Sequence, residues 1–245
     1  MANTKTENII NGLKPEIIKV VTDKLGSDGN NAHDVAIAWK KKQDDAVDAI
    51  NVLLSKYLPN SKISSPKAKS TYPDIKIENA EGLFAIDIKV NEDSKNPWFD
   101  MARLDTMLES RIYKYIEEWE LVIKFHNTNG KFIKAFFNLF REVVGYNKYS
   151  GGIKYRPYDG KVRPKTWADF ENDKIYWNTK EEFLVGIEKS IKYRWKSNIS
   201  KHLVAKLSEE EKEEFKKLFD KPIEIPEEPD DDENDSLDLF GKIGN

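Results

Sequence analysis

The sequence predicts an α/β or α+β domain with a central mixed β-sheet flanked by helices. Helical patterns precede a pair of alternating apolar runs at 71–90, and a further helical pattern and a buried-type strand, WELVIKF at 119–125, follow them. This order of elements is typical of helices packed on a sheet. A chain of 245 residues allows one large domain, or one domain with an appendage.

The elements before the alternating runs are helical. Residues 8–25 predict a short helix that ends near Gly26, and residues 33–58 predict a longer helix that Pro59 ends. The polar and basic connector SKISSPKAKS at 61–70 leads into the two alternating runs, which predict a β-hairpin.

The elements after the hairpin are more varied. We expect helices at 99–116, 178–206 and 207–219, strands at 119–125 and 175–177, and a segment at 131–144 that could be strand or helix. We predict one domain over residues 1–220, including a glycine- and proline-rich DNA-contacting loop at 145–170, and a disordered acidic tail at 221–245.

The composition excludes several classes of site and of location. Cysteine is absent and histidine occurs three times, so a disulfide framework and a zinc site of the usual ligands are both disfavoured. Any metal would be a hard cation held by carboxylates. No apolar run approaches the roughly 18 residues of a membrane span, and the first residues lack a signal-peptide core, so we expect a soluble intracellular protein without a membrane partner.

Charge is distributed unevenly along the chain. The net charge is −3, but residues 221–245 carry nine acids against two lysines, a net −7, which leaves +4 on the other 220 residues. A basic body with an acidic tail is typical of proteins that act on nucleic acid.

Three charged residues stand out in the hairpin. Asp74 follows Pro73 at the head of the first run, and Asp87 and Lys89 interrupt the second run on one face. Two neighbouring carboxylates repel unless a cation lies between them, and Mg²⁺ suits such a pair because it takes oxygen ligands and keeps several waters. A solvated strand face with an Asp87–Lys89 ion pair is the alternative, but it does not explain Asp74.

The run P-D…D-I-K resembles the motif of PD-(D/E)XK nucleases, and Y-P-D followed by A-I-D-I-K is similar to blunt-cutting Type II restriction endonucleases of the EcoRV and HincII type. The stretch 178–199 resembles a late helix of the same enzymes. The resemblance implies a restriction-endonuclease-like core, a cytoplasmic protein of prokaryotic or phage origin, and cleavage of double-stranded DNA by a homodimer. It implies Mg²⁺ as cofactor, with Mn²⁺ able to substitute, Asp74 and Asp87 as metal ligands, and Lys89 as the residue that orients water.

The family also carries an acid on the helix before the hairpin. Asp44, Asp45 and Asp48 are the candidates. Asp45 lies 29 residues before Asp74, a separation similar to that in the family, whereas helical phase favours Asp44. We expect Asp45 or Asp44 to complete the catalytic site, with Asp45 as a metal ligand.

Basic residues define a predicted DNA-binding surface. They lie in the loop at 145–170, interleaved with aromatic residues, and in the connector before Asp74: Lys154, Arg156, Lys161, Arg163, Lys165 and Lys69. Such residues suit phosphate contacts and the reading of base edges. A surface loop with merely solvated charges is the alternative.

The tail contains a short apolar motif, SLDLF at 236–240, similar to the motif that binds the bacterial sliding clamp. Leu237, Leu239 and Phe240 would be its contact residues. This leaves three functional hypotheses: a Type II restriction endonuclease, a replication or repair nuclease tethered to the clamp, and a non-catalytic DNA-binding protein of the same fold. The tail could also be solubilising, or mimic DNA in the basic cleft.

Overall fold

A five-stranded mixed sheet forms the centre of the fold in the computed structural model, which describes residues 3–26, 35–66, 72–93 and 96–203. The strands lie in the order β1-β2-β3-β4-β5. Only the central pair β3 and β4 is parallel; the other three pairs are antiparallel. Their bounds are Lys62–Ser64, Ile75–Asn79, Gly82–Glu92, Glu117–Phe125 and Phe132–Leu139. The prediction of an α+β fold with a central mixed sheet is confirmed.

The predicted hairpin is the pair β2 and β3, joined by a tight turn. Gly82 closes the turn with φ 135°, a conformation that glycine adopts without strain, and the Asn79 side chain accepts the Glu81 N–H at 2.9 Å. The turn fixes the register that places Ile75 opposite Ile86. It therefore fixes which side chains of β3 face each side of the sheet.

Three helices cover one side of the sheet: α1 Lys5–Gly12, α2 Lys14–Gly26 and α3 Val35–Tyr57. They pack on the apolar side chains of the strands, including Ile86, Ile88, Trp119, Leu121 and Phe137. Burying each such side chain contributes roughly 1.5–3 kcal/mol. This layer makes the sheet a rigid support for whatever the opposite face carries.

The predicted helix at 8–25 is two helices that meet at Leu13. Pro15 has no N–H to continue the hydrogen-bond ladder of α1, and it lies instead in the first turn of α2, where no such donor is required. The longer predicted helix corresponds to α3.

The other side of the sheet carries short elements and one long helix. They are α4 Phe140–Val143, β6 Tyr146–Asn147, β7 Gly152–Ile153, α5 Trp167–Glu171 and the part of α6 Lys180–Leu203 that ends at Lys192. Aromatic rings fill this side, with Phe136 against Phe170 at 5.1 Å and Phe140 against Phe183 at 5.7 Å between centroids. The segment left open between strand and helix is thus both, β5 followed by α4.

The predicted helix at 99–116 is wrong. Only a five-residue π-helical turn, Leu108–Ile112, forms there. Upstream, the Met101 N–H donates to the Val162 carbonyl and the Leu104 N–H to the Gly160 carbonyl, so tertiary pairing takes the backbone groups that a helix needs. The strand predicted at 175–177 is absent too, while the helix predicted at 207–219 lies outside the described residues.

The chain divides into two compact units, Met1–Lys192 and Tyr193–Asn245. The first contains the sheet and its flanking layers; the second is described only as far as Leu203. The predicted domain boundary at 220 and the acidic tail therefore lie outside the described part. Within the described ranges, no helix combines the length and the apolar character that a bilayer crossing requires.

Candidate active site

The site lies on the face of β3 and β4 that α1–α3 do not cover. Because the two strands are parallel and in register, Asp87 stands directly opposite Glu120. Side chains alternate along a strand, so Lys89 shares the face of Asp87, and Glu118 shares that of Glu120. Three carboxylates and an ammonium thus meet in one buried patch at the centre of the sheet.

Asp87 and Lys89 form a close ion pair, with Lys89 Nζ 2.7 Å from Asp87 Oδ2. Asp87 is only 4% exposed. Burial acts to raise the pKa of Asp87, but the positive charges of Lys89 and Arg111 outweigh it and lower the pKa below its ordinary value. Burial likewise acts to lower the pKa of Lys89, but Asp87 and Glu120 raise it. Both side chains are therefore charged at neutral pH.

Asp74 reaches the same place from the residue before β2. Its Oδ2 accepts the Ile88 N–H at 2.7 Å, and its Oδ1 accepts the Gln43 side-chain amide at 3.0 Å. Burial, together with the charge of Asp87, raises the pKa of Asp74 to about 6. The structure thus brings Asp74, Asp87 and Lys89 together as predicted from the hairpin.

The predicted third acid does not reach this cluster. Gln43, one residue before Asp44, takes the helix position that faces Asp74, and the same Nε2 also approaches the Ile88 carbonyl at 3.3 Å. Successive helix residues turn by about 100°, so Asp44 is rotated away and is exposed, and Asp45 lies 3.9 Å from Lys24 on α2 instead. The structure therefore brings neither Asp44 nor Asp45 to the Asp74–Asp87 pair, and the residue that contacts Asp74 from α3 is Gln43.

Arg111 joins the acids of β4 into a buried network. Its Nε donates to Glu118 at 2.7 Å, one terminal nitrogen donates to Glu120 at 3.0 Å, and the other to the Met101 carbonyl at 2.6 Å. The guanidinium lies between the rings of Tyr72 and Phe140, at 3.9 and 4.0 Å from their centroids. Tyr72 in turn donates to Glu118, which ties the residue before Pro73-Asp74 to β4.

Glu120 is the most enclosed acid of the site. It is 0% exposed, and its Oε2 has no hydrogen-bond partner among the described residues. Burial and the charge of Asp87 raise the pKa of Glu120 to about 8. The patch therefore holds more negative charge than Lys89 and Arg111 neutralise, and Glu120 retains its proton at neutral pH.

This arrangement fits a hard cation held by few protein ligands. Among the described residues, no three His, Asp or Glu side chains converge closely enough to form a complete metal cage. Asp74 and Asp87 nevertheless offer two adjacent carboxylates, and the charge of Asp87 adds to the effect of burial in raising the pKa of Asp74. Two carboxylates with water completing the shell is a ligand set that Mg²⁺ accepts.

Three of the predicted DNA-binding residues form ion pairs at the surface, and one is buried. Arg156, Lys161 and Arg163 gather around Asp100. Lys165 is instead buried and donates to the Lys174 carbonyl at 2.7 Å, so its expected contact with DNA is not supported. Lys154 is partly buried in the same segment, and Lys69, Leu237, Leu239 and Phe240 lie outside the described residues.

Gln43, Arg111 and Glu120 belong to the site, and the sequence patterns do not predict them. A weak signal existed for Glu120, because an acid in the apolar run WELVIKF is costly unless it is paired. Arg111 lay within a segment read as an amphipathic helix, and Gln43 was passed over in favour of the acids beside it.

No protein-family model and no curated protein matches the chain. Among solved structures, the NlaIV restriction endonuclease aligns over 92% of this chain and 94% of that chain, with a TM-score of 0.49 and 16% identity. At these values the likeness assigns no residue of this chain a role.

Proposed function

We propose that the protein is a Mg²⁺-dependent DNA endonuclease that hydrolyses phosphodiester bonds, and that it acts as a Type II site-specific restriction endonuclease on double-stranded DNA. The single observation that carries the proposal is the convergence of Asp74, Asp87 and Lys89 on one buried face. The resemblance of their sequence pattern to the PD-(D/E)XK motif agrees with it.

Asp74 and Asp87 would hold the metal. When bound, Mg²⁺ neutralises charge on a phosphate oxygen and lowers the pKa of a coordinated water. The Lys89 ammonium lies next to the Asp87 carboxylate, where it can donate to the attacking water or to a phosphate oxygen. The Ile88 N–H and Gln43 hold Asp74 in position, which reduces the reorganisation needed when substrate arrives.

Arg156, Lys161 and Arg163 would contact DNA phosphates, and a homodimer would place two such sites on opposite strands. In this proposal neither α6 nor the acidic segment at 221–245 contributes a residue to phosphodiester hydrolysis. Manganese would substitute for magnesium, because it accepts the same oxygen ligands.

The test is a plasmid digest with purified protein and Mg²⁺, comparing the parent with Asp87→Asn and with the matched control Asp23→Asn, which changes an exposed acid of α2. We expect discrete bands from the parent and the control, and at least about a 1,000-fold lower rate from Asp87→Asn, since one carboxylate of the metal pair is lost.

Other outcomes discriminate between the hypotheses. A ladder, or cleavage of forked or single-stranded DNA alone, would replace restriction with a replication or repair role. No cleavage of any DNA by the parent, with Asp87→Asn binding DNA equally tightly, would leave a non-catalytic DNA-binding protein.

A further inference from the structure

The segment after β3 and the basic loop build one surface feature together. The Val162 N–H donates to the Ala102 carbonyl at 2.8 Å, and the Leu104 N–H donates to the Gly160 carbonyl at 2.8 Å. An isolated bridge between Arg103 and Lys161 continues this pairing. The loop is thus fixed by backbone hydrogen bonds and is not a freely moving arm.

Asp100 lies at the centre of three cations. Its carboxylate is 2.8 Å from Arg163 and 3.8 Å from Arg156, and it also contacts Lys161. Arg156 also donates two hydrogen bonds to Asp159, one of them from Nε at 2.9 Å. Three cations against two carboxylates leave a net positive cluster that is already ordered before a phosphate approaches.

Two aromatic rings stand exposed beside this cluster. Trp98 is 51% exposed and Tyr158 is 77% exposed. Defined contacts nevertheless fix the Trp98 backbone and place a guanidinium against the Tyr158 ring. The Trp98 N–H donates to the Asn91 side chain at 3.4 Å and the Trp98 carbonyl accepts Arg163, while the Arg156 guanidinium lies 4.6 Å from the Tyr158 ring centroid. Each ring thus stands exposed next to a fixed cation, and an aromatic face beside a cation that can contact phosphate is suited to stacking on a nucleic-acid base.

Trp98 is connected to the Asp87 carboxylate through strand β3, which gives the separation between the exposed rings and the candidate active site. Asn91, which binds the Trp98 backbone, is four residues beyond Asp87 on β3 and faces the same side of the sheet. At about 3.3 Å per residue, this is roughly 13 Å along the strand. That length corresponds to about two to four nucleotides of a DNA strand that passes over Asp87.

We propose that Trp98 and Tyr158 stack on unpaired DNA bases next to the cleavage position, while Arg156, Lys161 and Arg163 contact the phosphates of that strand. A base inside a duplex has both faces covered by its neighbours, whereas a base in a single strand, or one extruded from a duplex, offers a face to an aromatic ring. This inference rests on the proposed nuclease function and adds that the strand beside the cut presents an unpaired base, which in a double-stranded substrate is a base extruded from the stack.

The test measures binding in EDTA, so that no cleavage is required. Fluorescence anisotropy would compare a blunt duplex, the same duplex with a single-stranded extension, and the same duplex with one bulged base. The variants are Trp98→Leu and Tyr158→Leu, with Trp98→Phe and Tyr158→Phe to retain a ring. The matched control is Tyr57→Leu, an exposed tyrosine beside Lys56 on the opposite face of the sheet.

We expect the parent to prefer one or both substrates with unpaired bases over the blunt duplex. Each Leu variant should lose about 5- to 150-fold on the preferred substrate, the equivalent of the usual contribution of one stacked base. The Phe variants should recover most of this loss, and the control should bind as the parent does. Preference for the extension indicates a single strand as the source of the base, and preference for the bulge indicates extrusion.

A parent that binds all three substrates equally would overturn the inference, as would Leu variants that bind like the parent or that weaken on all three substrates alike. The binding result is separable from the nuclease proposal. A protein that cuts plasmid but shows no aromatic dependence refutes only the stacking role, and one that shows the dependence but never cuts refutes only the nuclease.

Discussion

Gln43 places a neutral donor between two oxygens that a cation could also bridge. Its Nε2 lies 3.0 Å from Asp74 Oδ1 and 3.3 Å from the Ile88 carbonyl. A glutamate at this position would turn an oxygen toward both acceptors, which is unfavourable in the absence of metal and favourable in its presence. If the proposed metal site exists, the residue at position 43 would therefore set how strongly the carboxylates require a cation.

The corresponding prediction concerns Gln43→Glu. We expect a lower melting temperature than the parent in EDTA, and a larger rise in melting temperature on adding Mg²⁺, because a third carboxylate strengthens the metal site. Gln43→Ala is the control, since it removes both hydrogen bonds without adding charge and should show no enlarged Mg²⁺ response. A Glu variant whose Mg²⁺ response does not exceed that of the parent would contradict this view of the position.

Glu120 gives the site a pH-dependent contribution to stability. Burial and Asp87 raise its pKa from 4.5 to about 8, so the folded protein retains a proton that the unfolded chain has released. The stabilising effect is complete below pH 4.5 and is lost as the pH rises toward 8, with a slope of at most about 1.4 kcal/mol per pH unit. Asp74, whose pKa is about 6, adds to this decline up to about pH 7, and Glu120 dominates the profile above that pH.

We therefore expect Glu120→Gln, which mimics the protonated acid, to flatten the decline of the free energy of unfolding between pH 6 and 8 in metal-free buffer. Urea unfolding at closely spaced pH values measures it. Glu188→Gln, at an exposed position of α6, should keep the slope of the parent. Equal slopes for the parent and Glu120→Gln would show that the proton is not held at Glu120.

The residues that sequence alone identified share one property: their geometry is local. Asp87 and Lys89 are two residues apart on one strand, and the alternation of side chains places them on one face without further information. Gln43 depends on the rotational phase of a helix against the sheet, and Glu120 on the register between two parallel strands. Tertiary packing determines both quantities, so a pattern in one segment cannot give them.

At the scale of elements, Arg111 connects the π-helical turn to β4. It is buried with Glu118 and Glu120, and it is enclosed by the rings of Tyr72 and Phe140. Loss of one partner of a buried ion pair leaves the other charge without compensation. We expect Arg111→Met to lower the free energy of unfolding by about 3–5 kcal/mol.

Adding Glu118→Gln to Arg111→Met should recover part of this loss, because it removes one of the charges left behind. Lys192→Ala breaks an exposed pair with Glu188 and should leave the stability unchanged within error. Urea unfolding at pH 7 measures all three variants. A small effect of Arg111→Met would mean that water or rearrangement compensates the acids.

The element-scale predictions failed where tertiary contacts override a local pattern. Leu104, Leu108, Ile112 and Ile116 have helical spacing, yet the backbone of 101–104 pairs with 160–162. The apolar stripe predicted burial correctly, since Leu104 and Ile112 are both buried. It could not predict that a distant loop would take the hydrogen bonds.

At the scale of the whole molecule, the sequence joins a basic segment, residues 1–220, to an acidic segment, residues 221–245. The net −7 of residues 221–245 opposes the net +4 of the rest, and both charges act over the distance that salt allows. In the proposed complex with DNA, an acidic segment on the same chain would compete with DNA for the cations or would repel it. Either effect weakens with rising ionic strength.

We expect a chain without residues 221–245 to bind a labelled duplex more tightly than the parent at about 0.05 M salt, with the difference fading near 1 M, where the Debye length is about 3 Å. Anisotropy titrations in EDTA across the salt series measure it. A full-length variant with the nine tail acids changed to Asn or Gln separates charge from length, and it should behave like the truncated chain. If the neutralised variant instead binds like the parent while the truncated chain binds more tightly, the tail acts by occupying space near the cations and not through its charge.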